Sequence, residues 1–449
     1  MNIAEKKISI LGAVRSGIGA AKLAKRNSAL PFVSDCAPRV KVEKNLLNLE
    51  TEKINYETDA HTERVYNCDF IITSPGVPSD SEVLQTALKK NIPVFSELEF
   101  ASWFCKGKII AISGTNGKTT STALCAHVLN ECGIKAYAAG NIGLAFSEVV
   151  PFVKEEEYVS LEVSSFQLDH IETFKPKFSL LLNITHDHLD RYENKFNRYV
   201  RAKLNIARNQ DETDYFIYWQ DDTNIPAEIG NNKVKKYSFS LSDTVENGAF
   251  YKDGKMWFVE NGNVEEICAG SELSIKGEHN IANALAVLTV TKILNLPNEK
   301  IRKAFSNFPG VEHRLELVRE IEGVQYINDS KATNVDSVWY ALRSFDKPIY
   351  LILGGKDKGN DYNRIKDLAV KHVKKIYAIG VSAQKVFDFF KNVVETEKVE
   401  SLEECVNIAR REAKPNTIVL LSPACASFDM FDDFEHRGKI FKEAVNKIN

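Results

Sequence analysis

The sequence predicts an α/β protein built around mostly parallel sheets. Short β-branched runs alternate with helix-forming stretches along the whole chain, the order expected when helices connect parallel strands. Glycine-containing turns follow several of these runs, where a strand passes into a helix. With 449 residues the chain is too long for one hydrophobic core, and it divides into three such segments.

Composition and charge narrow the class of protein further. Hydrophobic residues make up 44% of the chain and charged residues 27%, as in an ordinary globular protein. A net charge of −3 favours neither a nucleic-acid partner nor an anionic membrane surface. No stretch is long enough to span a membrane, and the short apolar run Ile8–Val14 is not a signal peptide. The eight cysteines lack zinc-ligand spacing, so we expect free, mostly buried thiols and a reducing compartment.

The first segment, residues 1–96, is predicted to be a Rossmann-like domain. We predict a first strand at Lys7–Leu11, followed by a helix over residues 16–25. A second strand is predicted to end at Ser34-Asp35, and a third to span Phe70–Thr73. The glycine turn Gly12–Gly19 resembles a dinucleotide-binding fingerprint, with Asp35 as its acidic residue. Val14 stands where that fingerprint has its second glycine, which disfavours NAD. A mononucleotide or diphosphate at the helix N-terminus and a plain strand–helix turn both remain open.

The second segment, residues 97–309, begins with the most informative stretch of the chain. A β-branched run, Ile109–Ile112, enters a turn at Gly114–Gly117 that is followed by a helix-forming stretch. Backbone N–H groups and the helix N-terminus converge at such a turn and form an anion site. Lys118 adds a charge for β- and γ-phosphates, and Thr119 offers a hydroxyl to Mg²⁺. Although isoleucine replaces the first glycine of the standard motif, the loop predicts a nucleoside triphosphate and a P-loop ATPase-like domain with a parallel sheet.

Two further stretches of this segment carry groups that suit a magnesium–nucleotide site. Glu162 is near the end of a predicted strand, residues 158–163, that we expect beside the phosphate-loop strand, where a carboxylate can hold Mg²⁺. The run Asn183–Tyr192 follows the next strand and holds two His and two Asp within five residues. That spacing fits no zinc site and favours a hard cation or a phosphate. Lys203, on a predicted helix over residues 195–209, is predicted from the residues alone to be a surface lysine.

The third segment, residues 310–449, is predicted to be a second Rossmann-like α/β domain. We predict strands at residues 315–321, 325–328, 349–353, 375–379 and 417–421, and a last helix over residues 434–447. A hairpin turn at Lys252–Lys255 and a helix over residues 280–294 precede this segment and complete the second one. Domain boundaries are therefore expected near residues 96 and 309.

The motifs taken together resemble the Mur ligases, ATP-dependent enzymes that add amino acids to the UDP-linked precursor of bacterial peptidoglycan. The matching stretches follow in order over nearly the whole chain: Gly114–Thr120, Glu162–Leu168, Asn183–Tyr192, Lys203, Gly277–Ala284, His313–Arg314, Asp329–Asn334, Gly354–Lys358, Leu421–Asp429 and Phe434–Gly438. Within the family, the runs Asp329–Asn334 and Ser422–Ser427 and the short N-terminal segment are similar to the D-glutamate-adding members. The Asp-Asn-Pro-Arg motif typical of members that add diaminopimelate or lysine does not occur.

This resemblance implies a ligase that joins D-glutamate to UDP-N-acetylmuramoyl-L-alanine through an acyl phosphate, as a cytoplasmic monomer that uses ATP and two Mg²⁺ ions. It implies ATP contacts by Gly114, Thr115, Asn116, Gly117, Lys118, Thr119, Thr120, Asn283, Arg314 and Asp329. It implies contacts to the UDP-linked substrate by Ser16, Asp35, Gly76, Asn141 and Ser164. It implies contacts to D-glutamate by Thr333, Lys358, Ser427 and Phe434. The expected metal ligands are Thr119, Glu162, His188 and Lys203, the last as a carbamate.

The same resemblance assigns individual roles. The residues expected to carry catalysis are Lys118, Glu162, His188, Lys203 and Arg314. Asn283 is expected to pair with adenine, Asp329 with the ribose, and Arg314 with the γ-phosphate. Cys36 and Ala37 stand where some relatives carry Thr and Arg, so the details of uracil recognition stay open. The alternatives are a Mur-type ligase for another amino acid and a non-catalytic nucleotide-binding relative.

Overall fold

The computed structural model describes residues 2–141, 143–187, 189–228, 233–357 and 359–448. Its strands form three sheets in which most neighbours are parallel, which confirms the predicted α/β class. The chain divides into two compact units. The first comprises Met1–Leu273 and Ile281–Phe308, and the second comprises Ser274–Asn280 and Pro309–Asn449. The first unit contains two of the sheets and the second unit contains the third.

The first sheet has five parallel strands in the order β3-β2-β1-β4-β5. The strands are β1 Lys7–Leu11, β2 Leu30–Ser34, β3 Asn55–Glu57, β4 Phe70–Thr73 and β5 Val94–Ser96. The helices of this part are α1 Arg15–Arg26, α2 Arg39–Thr51 and α3 Glu82–Lys89. Helix α1 approaches the turn after β1 closely, since a Cβ at Gly17 would lie 1.8 Å from the carbonyl oxygen of Gly12. The glycine pattern therefore has a packing reason that is independent of any ligand.

The second sheet has nine strands in the order β14-β13-β12-β11-β10-β9-β6-β8-β7. The strands are β6 Lys108–Ser113, β7 Ala136–Gly140, β8 Tyr158–Glu162, β9 Phe178–Leu181, β10 Tyr215–Trp219, β11 Lys235–Ser240, β12 Gly248–Lys252, β13 Lys255–Glu260 and β14 Asn263–Ala269. The helices are α4 Glu97–Ser102, α5 Lys118–Glu131, α6 Phe146–Val149, α7 Ser165–Leu168, α8 Phe196–Leu204, α9 Asn224–Glu228, α10 Glu278–Ile293 and α11 Asn298–Asn307. Only β13 and β14 are added by antiparallel pairing, after the predicted hairpin turn.

The order of the central strands determines where the loops of the second sheet meet. Strands β8 and β9 flank β6, and all three run parallel. In this register Ile112 lies opposite Glu162, which confirms that the Glu162 strand is next to the phosphate-loop strand. The carboxyl ends of the three strands therefore share one edge, and α/β sheets bind their ligands at such an edge.

The third sheet has six strands in the order β15-β16-β20-β17-β18-β19, and only β15 is antiparallel to its neighbour. The strands are β15 Glu316–Ile321, β16 Val324–Asn328, β17 Ile349–Gly354, β18 Val373–Ile379, β19 Glu395–Lys398 and β20 Thr417–Leu421. The helices are α12 Val335–Arg343, α13 Asn363–His372, α14 Ala383–Phe390, α15 Leu402–Glu412 and α16 Phe434–Asn446. The loops after β16, β20 and β17 leave adjacent strands and thus lie side by side.

Helix α8 is shorter than the sequence predicts. It ends at Leu204 and passes into a single 3-10 turn, Asn205–Ala207. The Asn209 side chain donates hydrogen bonds to the carbonyl oxygens of Glu172 and Phe174, at 2.9 and 3.0 Å. Polar side chains that bond the backbone elsewhere in the chain compete with helix propagation.

Two expectations from composition agree with the structure. All eight cysteines are free thiols; five are buried, and Cys36 is exposed. Within the described ranges, no helix has both the length and the apolar character needed to cross a bilayer.

Candidate functional site

The loop between β6 and α5 requires glycine at its second glycine position. Gly117 has φ +84°, a conformation that other residues rarely adopt. A Cβ at this position would lie 2.3 Å from Oδ1 of Asn283, which projects from α10. The loop thus passes directly against Asn283, one of the predicted nucleotide contacts.

Asn183, which follows β9, holds this loop through hydrogen bonds in both directions. The Asn116 N–H donates to Asn183 Oδ1 at 2.8 Å, and Asn183 Nδ2 donates to the Asn116 carbonyl at 3.0 Å. The Thr115 N–H donates to the Asn183 carbonyl at 2.9 Å. The Thr185 N–H donates to Thr115 Oγ1 at 3.0 Å. Two of the loop's own N–H groups therefore donate hydrogen bonds within the protein. Helix α5 begins directly after the loop, and the N–H groups of a helix's first turn have no acceptor within the helix.

Lys118 folds back over the loop that precedes it. Its Nζ donates to the carbonyl oxygens of Gly114 and Thr115, both at 2.8 Å. The ammonium group therefore lies against the loop between β6 and α5.

Glu162 has a buried carboxylate group. The residue is 2% exposed, and its Oε1 accepts a hydrogen bond from Asn141 Nδ2 at 3.4 Å. Its Oε2 is buried without a hydrogen-bond partner in the described part of the chain. An unpaired buried carboxylate oxygen is costly in free energy, whereas it is a preferred ligand of Mg²⁺. Together with the buried hydroxyl of Thr119, it fits a magnesium site.

The structure overturns the surface position that the residues alone predicted for Lys203. The side chain is 2% exposed, and Nζ donates to the Gly114 carbonyl at 2.8 Å. Burial, assisted by the charge of Lys118, lowers the pKa of Lys203 well below its usual range, although Asp187 and Glu162 oppose the shift.

A neighbour on the same helix is a site residue that the sequence analysis missed. Tyr199 lies four residues before Lys203, its ring centroid is 4.8 Å from Lys203 Nζ, and its hydroxyl is 3.2 Å from Thr115 Oγ1. Residues four apart share a helix face, so the aromatic Tyr199 was the available signal that Lys203 faces inward. The predicted ligand His188 lies outside the described residues.

The predicted contacts to the UDP-linked substrate fall on two sheets of the first unit. Asp35 follows β2, and its two carboxylate oxygens accept the N–H groups of Ala13 at 2.6 Å and Ala37 at 2.8 Å. Ser16 lies in the first turn of α1, and Gly76 lies in the loop after β4. Asp35, Ser16 and Gly76 thus follow the carboxyl ends of β2, β1 and β4, which are neighbouring strands in the sheet.

The other two predicted substrate contacts border the Glu162 strand. Asn141 follows β7, and its N–H donates to the Glu162 carbonyl at 3.2 Å. Ser164 follows β8 and caps α7, because its hydroxyl accepts the Gln167 N–H at 3.4 Å. The structure therefore brings Asn141 and Ser164 next to the candidate magnesium ligand.

In the second unit, Asp329 and Arg314 are neighbours at the carboxyl end of β16. Asp329 Oδ2 accepts a hydrogen bond from Ser422 Oγ at 2.8 Å, and its Oδ1 accepts the Leu315 N–H at 3.3 Å. Burial raises the pKa of Asp329 to about 6, although the charge of Arg314 opposes this shift. The Nε of Arg314 is buried without a hydrogen-bond partner among the described residues.

Arg437 joins the loops that carry the predicted D-glutamate contacts, and the sequence analysis assigned it no role. It is 2% exposed, with Nη2 2.7 Å from the Ser330 carbonyl and Nη1 3.0 Å from the Cys425 carbonyl. Ser330 Oγ accepts from Arg437 Nε at 3.0 Å and donates to the Phe434 carbonyl at 2.8 Å. The available signal was an arginine within the Phe434–Gly438 motif.

Three of the four predicted D-glutamate contacts are described, and they lie in the loops after β16 and β20. Thr333 is half-buried in the first of these loops. Ser427 is buried, with an Oγ that has no hydrogen-bond partner among the described residues. Phe434 begins α16, and Lys331 Nζ lies 5.1 Å from its ring centroid. Lys358 lies outside the described residues.

Family profiles match most of the chain. A profile of the Mur ligase middle domain matches residues 112–291, and one of the Mur ligase glutamate ligase domain matches residues 313–425. A profile of the MurD N-terminal domain matches residues 7–83.

Individual proteins match over almost their entire lengths. A UDP-N-acetylmuramoylalanine--D-glutamate ligase from Christiangramia forsetii is 44% identical over 448 residues, which cover 99% of this chain and 100% of the relative. A relative of the same name from Chloroherpeton thalassium is 43% identical over 465 residues, covering 99% and 98%. Among solved structures, UDP-N-acetylmuramate-alanine ligase MurC from Thermotoga maritima is similar in fold, with a TM-score of 0.64, 21% identity and coverage of 99% and 100%.

The contact between Gly117 and Asn283 gives a test of the loop. Gly117→Ala introduces a Cβ against Asn283 Oδ1, so we expect affinity for ATP to fall more than about tenfold. The matched control is Gly133→Ala, because Gly133 also has a positive φ, of +90°, but a Cβ there meets nothing within 4 Å. Isothermal titration of both variants with ATP checks this, and unchanged affinity in Gly117→Ala would contradict it.

The raised pKa of Asp329 predicts a conflict between stability and function. An aspartate normally titrates near 3.8, so the folded state binds more protons than the unfolded state between about pH 4 and 6, and stability falls as pH rises through that window. Asp329→Asn removes the buried charge, so we expect a higher unfolding temperature at pH 8, a smaller increase at pH 5 that disappears below about pH 4, and weaker ATP binding. Thermal scans with Asp367→Asn, at an exposed position, as the control test this; destabilisation at pH 8 would refute it.

Proposed function

The chain belongs to the Mur ligase family, and we propose that it joins D-glutamate to UDP-N-acetylmuramoylalanine while ATP is converted to ADP and phosphate. The full-length relatives carry that name at 43–44% identity. The observation that carries the chemistry is the Oε2 of buried Glu162, beside the phosphate-loop strand, which has no hydrogen-bond partner among the described residues. The family adds amino acids in an ATP-dependent reaction, and this arrangement suits a magnesium–ATP complex.

We propose three domains with distinct tasks. Residues 1–96 bind the UDP-linked substrate, residues 97–309 bind ATP, and residues 310–449 bind the amino acid. Each sheet falls within one of these segments, and each matched profile range also lies within one of them. These two observations support the boundaries.

The reaction takes place in two steps. An oxygen of the alanyl carboxylate attacks the γ-phosphorus of ATP, the bond to the β,γ-bridging oxygen breaks, and ADP leaves. The neutral amine of D-glutamate then attacks the carbonyl carbon of the acyl phosphate and loses a proton. The tetrahedral intermediate collapses to the amide and expels inorganic phosphate. Because the first step joins two anions, the protein must mainly neutralise charge and align the reactants.

Lys118 and the N-terminal turn of α5 hold the phosphates in this proposal. The Lys118 ammonium can exchange the carbonyl oxygens of Gly114 and Thr115 for phosphate oxygens, which are stronger acceptors. The amides at the start of α5 supply further donors. Asn283 contacts adenine, Asp329 the ribose and Arg314 the γ-phosphate, and each of these three roles follows the family pattern.

Thr119 and Glu162 hold one Mg²⁺, and His188 with a carbamylated Lys203 holds a second. Bound Mg²⁺ neutralises phosphate charge and fixes the orientation of the phosphate oxygens. A carbamate forms from CO₂ and a neutral amine with loss of a proton. The lowered pKa of the buried Lys203 favours that neutral amine. The carbamate then offers oxygens to a cation that an ammonium group would repel.

The remaining contacts follow the same family pattern. Ser16, Asp35, Gly76, Asn141 and Ser164 bind the UDP-linked substrate, and Thr333, Lys358, Ser427 and Phe434 bind D-glutamate. The Oγ of Ser427 has no hydrogen-bond partner among the described residues, which supports a hydrogen bond to a substrate carboxylate. We propose that the protein acts in the cytoplasm, where its nucleotide substrates are made. We also propose that it is a monomer.

The carbamate makes a specific prediction. Lys203→Ala should lose almost all activity, and small carboxylates such as acetate should restore part of it by supplying oxygens at the vacated position. Lys195→Ala is the control, since Lys195 is exposed and pairs with Glu193. Phosphate release measured with and without acetate decides the question, and full activity of Lys203→Ala would exclude the carbamate.

The proposed reaction is tested by phosphate release from ATP in the presence of UDP-N-acetylmuramoyl-L-alanine. D-glutamate is compared with L-glutamate, L-lysine and diaminopimelate, and the amide product is identified by mass. We expect release with D-glutamate alone. Turnover with another amino acid would change the acceptor and keep the ligase, whereas ATP binding without any turnover would indicate a non-catalytic relative.

A further inference from the structure

We infer that Arg191 is a positioning residue that fixes the loop carrying Gly76 against the loops of the ATP-binding sheet. This inference rests on the proposed function, because it assigns a role in aligning the UDP-linked substrate. Arg191 follows β9 in the same segment as Asn183 and is half-buried.

Arg191 contacts a loop of the first sheet through its guanidinium group. Its Nη2 donates to the carbonyl of Val77 at 3.0 Å and lies 3.4 Å from the carbonyl of Pro75. These two carbonyls flank Gly76, the proposed substrate contact after β4. The backbone on both sides of that contact is therefore tied to a side chain from the second sheet.

The other contact of Arg191 is with the loop after β8. Its Cζ lies 4.3 Å from the ring centroid of Phe166, which belongs to α7. Helix α7 begins three residues after Glu162, the proposed magnesium ligand. One guanidinium group thus joins loops that follow three strands, β4, β8 and β9.

The segment that carries Arg191 is itself held in place. Tyr192 stacks on Phe166 with an interplanar angle of 17° and a centroid distance of 6.0 Å. Its hydroxyl donates to Asp169 Oδ2 at 2.9 Å. A few residues from Gly76, Ser79 Oγ lies 3.2 Å from His170 Nε2. Arg191 is therefore one of several residues that join loops of the two sheets in the first unit.

The proposed chemistry explains why these contacts matter. The alanyl carboxylate belongs to the UDP-linked substrate, whereas the phosphorus it attacks belongs to ATP on the phosphate loop. The distance between the Gly76 loop and the phosphate loop therefore sets the distance between the reacting atoms. Misplacement by about 1 Å can reduce a rate by about a hundredfold. A planar guanidinium can bind two carbonyls and stack on a ring together, and a lysine ammonium cannot reproduce this geometry.

The test compares Arg191→Ala, Arg191→Lys and the control Arg198→Ala. Arg198 is exposed and pairs with Glu193. We expect kcat/KM for UDP-N-acetylmuramoyl-L-alanine to fall by about tenfold to a hundredfold in Arg191→Ala, with a higher KM and a lower kcat. Arg191→Lys should recover little of this loss, and added guanidinium should restore part of the Arg191→Ala activity. The affinity of all variants for ATP should stay within about twofold of the wild-type value.

Three outcomes would overturn the inference. The first is a wild-type kcat/KM in Arg191→Ala, and the second is full recovery of kcat/KM in Arg191→Lys. The third is a loss of ATP affinity and thermal stability in Arg191→Ala that parallels the loss of kcat/KM, because it would indicate a purely structural role. Wild-type turnover is measured first, so failure of the proposed function is recognised separately. If the wild type does not turn over D-glutamate, direct titration of each variant with the UDP-linked substrate takes the place of kinetics, and equal affinities in wild type and Arg191→Ala again overturn the inference.

Discussion

The paired hydrogen bonds between Asn116 and Asn183 fix the phosphate loop, and the rest of the ATP side of the site depends on them. Because Asn183 follows β9, the loop after β6 takes its position from the neighbouring strand. The Thr115 N–H and hydroxyl add bonds to the same segment. These bonds set the position of the loop that leads into Lys118 and the first turn of α5.

Charged groups beside this loop are held in states that are unfavourable for the protein alone. Burial lowers the pKa of Lys203, whose Nζ lies against the Gly114 carbonyl, whereas Oε2 of Glu162 has no hydrogen-bond partner among the described residues. Neither feature stabilises the fold, because a buried amine loses its hydration and a buried carboxylate oxygen normally has a hydrogen-bond partner. The proposed Mg²⁺ would supply a partner for the Glu162 oxygen, and the proposed carbamate would replace the buried amine of Lys203. Perturbed groups of this kind are typical of functional sites.

Arginine side chains join loops in both units by binding carbonyl oxygens. Arg437 connects the loops after β16 and β20, and Arg191 connects those after β4 and β9. Each loop leaves the carboxyl end of a parallel strand, where sheets of this class bind ligands. The guanidinium group suits this task because it offers several donors in a fixed plane.

The sequence by itself determined the α/β class, the phosphate loop and the partnership of Glu162 with the phosphate-loop strand. These features depend on local patterns: β-branched runs, a glycine turn before a helix, and a carboxylate at a strand end. The resemblance to the Mur ligases then supplied the proposed roles of residues such as Arg314 and Asp329. Only the tertiary structure decided that Lys203 is buried, that Asn183 braces the loop, and that Arg191 and Arg437 join loops. These features depend on contacts between residues far apart in the chain. The physical reason is that neighbouring strands and loops determine burial and hydrogen-bond partners, whereas the residues next in sequence do not.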